Sequence, residues 1–171
     1  MSSDKCYENY PYIFVIGASI IQFAIYIFGA YLIYLLEPLG LILYIAYILI
    51  LEIRLLKKSC IDCYYYGKRC AFGKGILCLA FFKKGNPEIF VEKKISPKDL
   101  IPDFFVTIVP LAIGSYLLFK EFSWILLFLM IVLIILGFPV TGYLRGSLAC
   151  KYCKQREIGC PAEQMFKKKG Q

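Results

Sequence analysis

The sequence predicts an all-α membrane protein, with four transmembrane helices set as two duplicated hairpins that carry cytoplasmic cysteine-rich extensions. Three observations lead there. The 171 residues are 60% hydrophobic, well above the soluble average. The apolar residues are collected into four long runs. Six of the eight cysteines fall into two copies of one pattern, Cys-x2-Cys-x6-Cys, each placed after a pair of those runs.

Ile13 to Leu36 contains no charge over 24 residues, enough at about 1.5 Å per residue to cross roughly 30 Å of hydrocarbon. The polar start, with Asp4 and Glu8, lacks the cationic beginning of a cleaved signal peptide, so this first span is expected to be retained. Glu37-Pro38-Leu39-Gly40 is read as a compact turn, and Leu41 to Leu56 as the core of the second span, with Glu52 and Arg54 near its end. A third span, about 101–119, is interrupted by Pro110. The fourth, about 122–144, is anchored by Trp124 and is expected to kink at Pro139.

The first unit is therefore 1–95, with spans about 13–36 and 38–56, a cysteine triad at 60–70 and a segment at 75–84. That segment is too short to span and is flanked by lysines, so it is expected to lie at the membrane interface. The second unit is 96–171, with its two spans, a triad at 150–160 and a basic tail. Ser96-Pro97-Lys98-Asp99 has the order of a capped helix start. Units that begin on the same side imply an approximate two-fold axis along the membrane normal.

Lysine and arginine set the orientation. Ten lie in 57–100 and seven in the tail from Arg145, whereas Lys120 stands alone on the opposite side. The positive-inside rule then places both termini and both triads in the cytoplasm of a multi-pass cell-membrane protein. That compartment is reducing, which disfavours permanent disulfides and favours metal thiolate.

The candidate metal ligands are Cys60, Cys63, Cys70, Cys150, Cys153 and Cys160. Histidine is absent, so imidazole is excluded as ligand or base. Zinc takes four ligands, and one triad is one short. Six thiolates satisfy two zinc ions if two sulfurs bridge. Lys57, Lys58, Lys68, Arg69, Lys151, Lys154 and Arg156 lie close in sequence and are expected to favour the thiolate. Cys6 and Cys78 fall outside the repeat and are read as packed side chains. Tyr64, Tyr65 and Tyr66 are read as an interfacial aromatic belt, and nucleic acid is not expected as a partner.

The spacing of the triads resembles the fungal binuclear zinc cluster, whose two halves share it. The resemblance covers the two 11-residue triads and implies coordination, not a DNA-binding fold. It implies Cys60 and Cys150 as bridging ligands and Cys63, Cys70, Cys153 and Cys160 as terminal ones. Here two membrane spans replace the short linker between the halves.

Structural zinc in a scaffold or accessory subunit is the favoured reading. The alternatives are a membrane redox protein with an iron-sulfur or thiol-disulfide centre and an inner-leaflet lipid-modifying enzyme. Cys160-Pro161 and a fourth thiol at Cys78 suit iron-sulfur ligation, but the second half has no corresponding cysteine. No nucleophile-base set is recognisable, which leans away from an enzyme. The spans hold few polar residues, which disfavours a proton-coupled transporter. The expected partners are the bilayer, anionic inner-leaflet lipids, and another membrane or cytoplasmic protein.

Overall fold

The computed structural model describes residues 6–92 and 97–161. Secondary structure among them is helical, apart from an isolated bridge between Tyr7 and Cys153. The helices are α1 (Tyr12–Leu36), α2 (Pro38–Leu55), α3 (Lys74–Phe81), α4 (Pro87–Glu92), α5 (Pro97–Lys120), α6 (Trp124–Ile135), α7 (Thr141–Tyr143) and α8 (Lys154–Ile158). Five- and seven-residue π-helical turns follow α2 and α7, at Leu56–Cys60 and Leu144–Cys150, and a third joins α6 to α7. Four stretches are long and apolar enough to cross a membrane: Tyr12–Leu36, Pro38–Cys60, Lys98–Lys120 and Trp124–Cys150.

Two compact units divide the chain. One comprises Ile20–Glu52 and Leu100–Tyr143. Its core is Ile25, Leu32, Ile33, Tyr44, Ile48, Val106, Leu126 and Leu133, drawn from α1, α2, α5 and α6 at spacings of one and two helical turns. Small residues let these helices approach: a Cβ at Gly29 would meet the Tyr44 hydroxyl and, at 3.1 Å, Pro110, while one at Gly114 would meet Met130 at 3.1 Å. The opposite faces carry Phe23, Ile27, Ile42, Leu49, Ile125 and Phe128 exposed, an apolar exterior suited to lipid rather than water.

Proline is accommodated here by groups from elsewhere in the unit. Pro110 has no N–H, so the carbonyl of Val106 four residues earlier loses its helical donor. The Tyr44 hydroxyl donates to that carbonyl at 2.8 Å. One helical turn away, Tyr47 donates to the Pro102 carbonyl, also at 2.8 Å. The third span consequently runs unbroken through Pro110, longer than the expected 101–119. Pro139 sits within a π-helical turn, where the Thr141 hydroxyl donates to the Leu136 carbonyl at 2.7 Å.

Other boundaries move for equally local reasons. The turn expected over four residues reduces to Glu37, because Pro38 occupies the first helical position, where its missing N–H costs nothing. The fourth span does not stop at 144 but runs as helix to Cys150. Asp99 lies in the first turn of α5 as expected, whereas Ser96 and the basic tail from 162 onward lie outside the described residues.

The other compact unit comprises Met1–Ser19, Ile53–Asp99 and Leu144–Gln171. It gathers the N-terminal segment, the loop after the second span and the segment after the fourth. Its core is Tyr10, Tyr65, Ala71 and Ala149.

Candidate functional site

Each triad begins where a long helix ends. After α2 the Ile61 N–H reaches back five residues to the Leu56 carbonyl at 3.2 Å, the widened spacing of a π-helical turn, and Cys60 closes that turn. Cys150 closes the corresponding turn after α7. Two backbone hydrogen bonds then recur in the two places, although the second turn runs on into α8 and the first does not. The N–H of Cys63 donates to Cys60 O and that of Cys153 to Cys150 O, both at 3.4 Å; Tyr66 donates to Cys63 O and Arg156 to Cys153 O, both at 3.0 Å.

Within each turn, the backbone N–H two residues beyond the second cysteine points at its sulfur. Tyr65 serves Cys63 and Gln155 serves Cys153. A donor aimed at sulfur favours the thiolate, the form that binds metal.

Those same two residues join the turns. The Tyr65 hydroxyl accepts the Lys154 N–H at 2.9 Å, and Gln155 Oε1 accepts the Tyr64 N–H at 2.7 Å. In each case the residue two beyond the second cysteine holds the backbone one beyond the second cysteine of the other turn. Both side chains are buried, at 2% and 3% exposure. Gln155 Nε2 also donates to the Gly159 carbonyl at 2.9 Å, fixing the residue before Cys160.

The N-terminal segment threads the seam. The Tyr7 N–H donates to the Tyr152 carbonyl and the Tyr10 N–H to the Arg69 carbonyl, each at 2.9 Å. The Tyr10 hydroxyl donates to the Ala149 carbonyl and that of Tyr65 to the Tyr7 carbonyl. Rings of Tyr7, Tyr10, Phe14, Tyr65 and Tyr152 pack at centroid distances of 5.4 to 6.5 Å. The tyrosines after Cys63 are thus structural: Tyr65 is core, Tyr66 donates to the Phe82 carbonyl at 2.7 Å, and Lys68 covers the Tyr64 ring at 4.0 Å. For Tyr65 and Tyr66 this replaces the aromatic-belt expectation, because their hydroxyls are engaged inside the unit.

Among the six candidate ligands, Cys63, Cys70 and Cys153 pack against the same core. Neighbouring thiols add to burial in raising three of these cysteines: Cys70, Cys78 and Cys63 raise Cys60; Cys70, Cys160 and Cys78 raise Cys63; and Cys63, Cys160 and Cys150 raise Cys153. Cys150 is exposed. No disulfide links any of the eight cysteines. Among the described residues, no three cysteine or carboxylate side chains are gathered closely enough to hold an ion. The turns are neighbours, but the six-sulfur cage with bridging Cys60 and Cys150 is not assembled. Cys78 is fully buried and its thiol points to the Leu56 carbonyl at 3.9 Å, in keeping with a packed side chain.

The electrostatics also differ from expectation. Burial pushes the Cys63 thiol up to about 11 and the Cys153 thiol up to about 12, against the opposing pull of the N–H donors. Several of the cations read as thiolate partners sit on aromatic rings: Lys57 on Phe82, Lys68 on Tyr64, Arg69 on Tyr12 and Lys151 on Tyr152. Lys154 pairs with Glu157 at 2.5 Å.

Tyr7, Tyr10 and Gln155 escape the sequence reading, and so does the joining role of Tyr65. The signal that points to two of them is positional, since Tyr65 and Gln155 occupy the same offset after the paired cysteines. No known protein family matches the chain, and no curated protein or solved structure matches it.

Proposed function

We propose that the chain is a multi-pass integral membrane protein whose two cysteine turns hold a thiolate-bound metal, zinc first, as the structural element of a scaffold or accessory subunit. The observation that carries this reading is the reciprocal pairing, through Tyr65 and Gln155, of two Cys-x2-Cys turns that share equivalent backbone hydrogen bonds. A thiolate metal contributes folding free energy directly, in addition to the small core of Tyr10, Tyr65, Ala71 and Ala149. Cys60, Cys63, Cys70, Cys150, Cys153 and Cys160 would supply the thiolates that hold the ion, which would require their thiols to be deprotonated.

The gathering of the N-terminal segment, the middle loop and the C-terminal segment into one unit supports a common side for both triads. The lysine and arginine distribution supports the cytoplasmic side. Elemental analysis of protein purified without added metal tests the proposal. Zinc supports it, iron moves the reading to a redox subunit, and absence of both metals refutes it.

A further inference from the structure

Helix α3 is attached to the first cysteine turn on one side and bare on the other. Its inner face is Gly75 and Cys78, both buried. A Cβ at Gly75 would strike the carbonyls of Tyr65 and Lys68, the Gly75 carbonyl accepts the Gly67 N–H at 3.0 Å, and the Cys78 thiol points to Leu56. Its outer face exposes Ile76, Leu77, Leu79 and Phe81, the last at 71%. Exposed Lys83 and Lys84 follow directly. Residues 61–96 are tethered at both ends to candidate spans, by Cys60 and by the start of α5.

We infer that α3 lies in the headgroup region of an anionic bilayer, with Ile76, Leu77, Leu79 and Phe81 immersed and Lys83 and Lys84 on the phosphates, so that it holds the first cysteine turn against the membrane surface. An eight-residue helix extends about 12 Å and cannot cross the hydrocarbon, so its apolar face is satisfied by lying flat. Charge complementarity selects the occupant: the flanking lysines meet anionic lipid, whose surface attracts cations adjacent to an inserted apolar face. Span ends on both sides of the loop keep α3 near the bilayer. This inference goes beyond the metal reading and does not require it.

The test places a single tryptophan on the outer face of the full chain, Phe81→Trp or Leu79→Trp in a Trp124→Phe background. The protein is reconstituted into phosphatidylcholine vesicles with or without phosphatidylglycerol. Emission shifted to the blue, and quenched more strongly by lipids brominated near the headgroup than by lipids brominated at the chain end, is the expected result. Reversing Lys83 and Lys84 to glutamate should reduce the quenching in phosphatidylglycerol vesicles and leave it unchanged in pure phosphatidylcholine. Water-like emission without quenching would overturn the inference, as would a blue shift without quenching, which marks coverage by protein. Stronger quenching from the chain ends would also overturn it, as would indifference to the charge reversal. Metal content is not read in this experiment, so either outcome leaves the thiolate proposal standing or falling on its own measurement.

Discussion

Gln155 takes the backbone N–H of Tyr64 on its Oε1 at 2.7 Å, a hydrogen bond between residues 91 apart in the chain. Its counterpart runs the other way, from the Lys154 N–H to the Tyr65 hydroxyl. Two copies of one cysteine turn are thereby clasped through equivalent positions, and two membrane-length helices lie between them in sequence.

Removing either arm should loosen both turns. Gln155→Ala leaves the part-buried Tyr64 N–H without its acceptor, a loss of about 1 kcal/mol. Tyr65→Phe does the same at Lys154. Hydrogen exchange should show faster exchange at Tyr64 in the first variant and at Lys154 in the second. The double variant should cost less than the sum of the singles, because the arms belong to one network. Unchanged protection at both amides would show that the clasp is not stabilising.

The Tyr44 bond to Val106 exists because Pro110 leaves that carbonyl without a donor. Tyr44→Phe should therefore lower stability in detergent by about 1 kcal/mol. In a Pro110→Ala background the helix supplies its own donor, and the same substitution should cost little. Equal losses in the two backgrounds would contradict this account.

Gly75 has no room for a side chain, since a Cβ there would strike the Tyr65 and Lys68 carbonyls, whereas one at Gly146 would meet nothing within 4 Å. Gly75→Ala should destabilise by about 1–3 kcal/mol, the usual range for overpacking. Gly146→Ala should be neutral or slightly stabilising. Thermal unfolding of the two variants decides it.

Burial raises Cys63 to about 11 and Cys153 to about 12 from an ordinary 9.0. In chelator-treated protein at about pH 8, roughly one Cys63 thiol in a thousand is thiolate. Alkylation read residue by residue should be slow there and rise about tenfold per pH unit up to about pH 10. The folded-state values lie above the unfolded one, so the protonated thiols contribute stability below about pH 9 that is lost as pH rises through 11 to 12. Alkylation that levels off by about pH 9 would contradict the burial.

The spans were legible because uncharged runs of membrane length leave little freedom of assignment, and the triads because their spacing recurs. What the sequence concealed depends on distant partners. Pro110 reads as a helix breaker until Tyr44 is seen to supply the missing donor from α2. Tyr65 reads as one of three interfacial tyrosines until the N-terminal segment and Lys154 enclose it. Cys60 and Cys150 read as residues beyond the ends of the spans, yet each closes a π-helical turn at the end of a long helix. The cysteine spacing showed which residues recur, but not whether their sulfurs already meet.

Zinc-edge X-ray absorption of protein purified without added metal addresses the central claim most directly. A first shell of four sulfurs at about 2.3 Å is predicted, diminished when Cys63 or Cys153 is replaced by serine. A shell of oxygen and nitrogen, or a sulfur shell indifferent to both substitutions, would contradict a metal held by the paired turns.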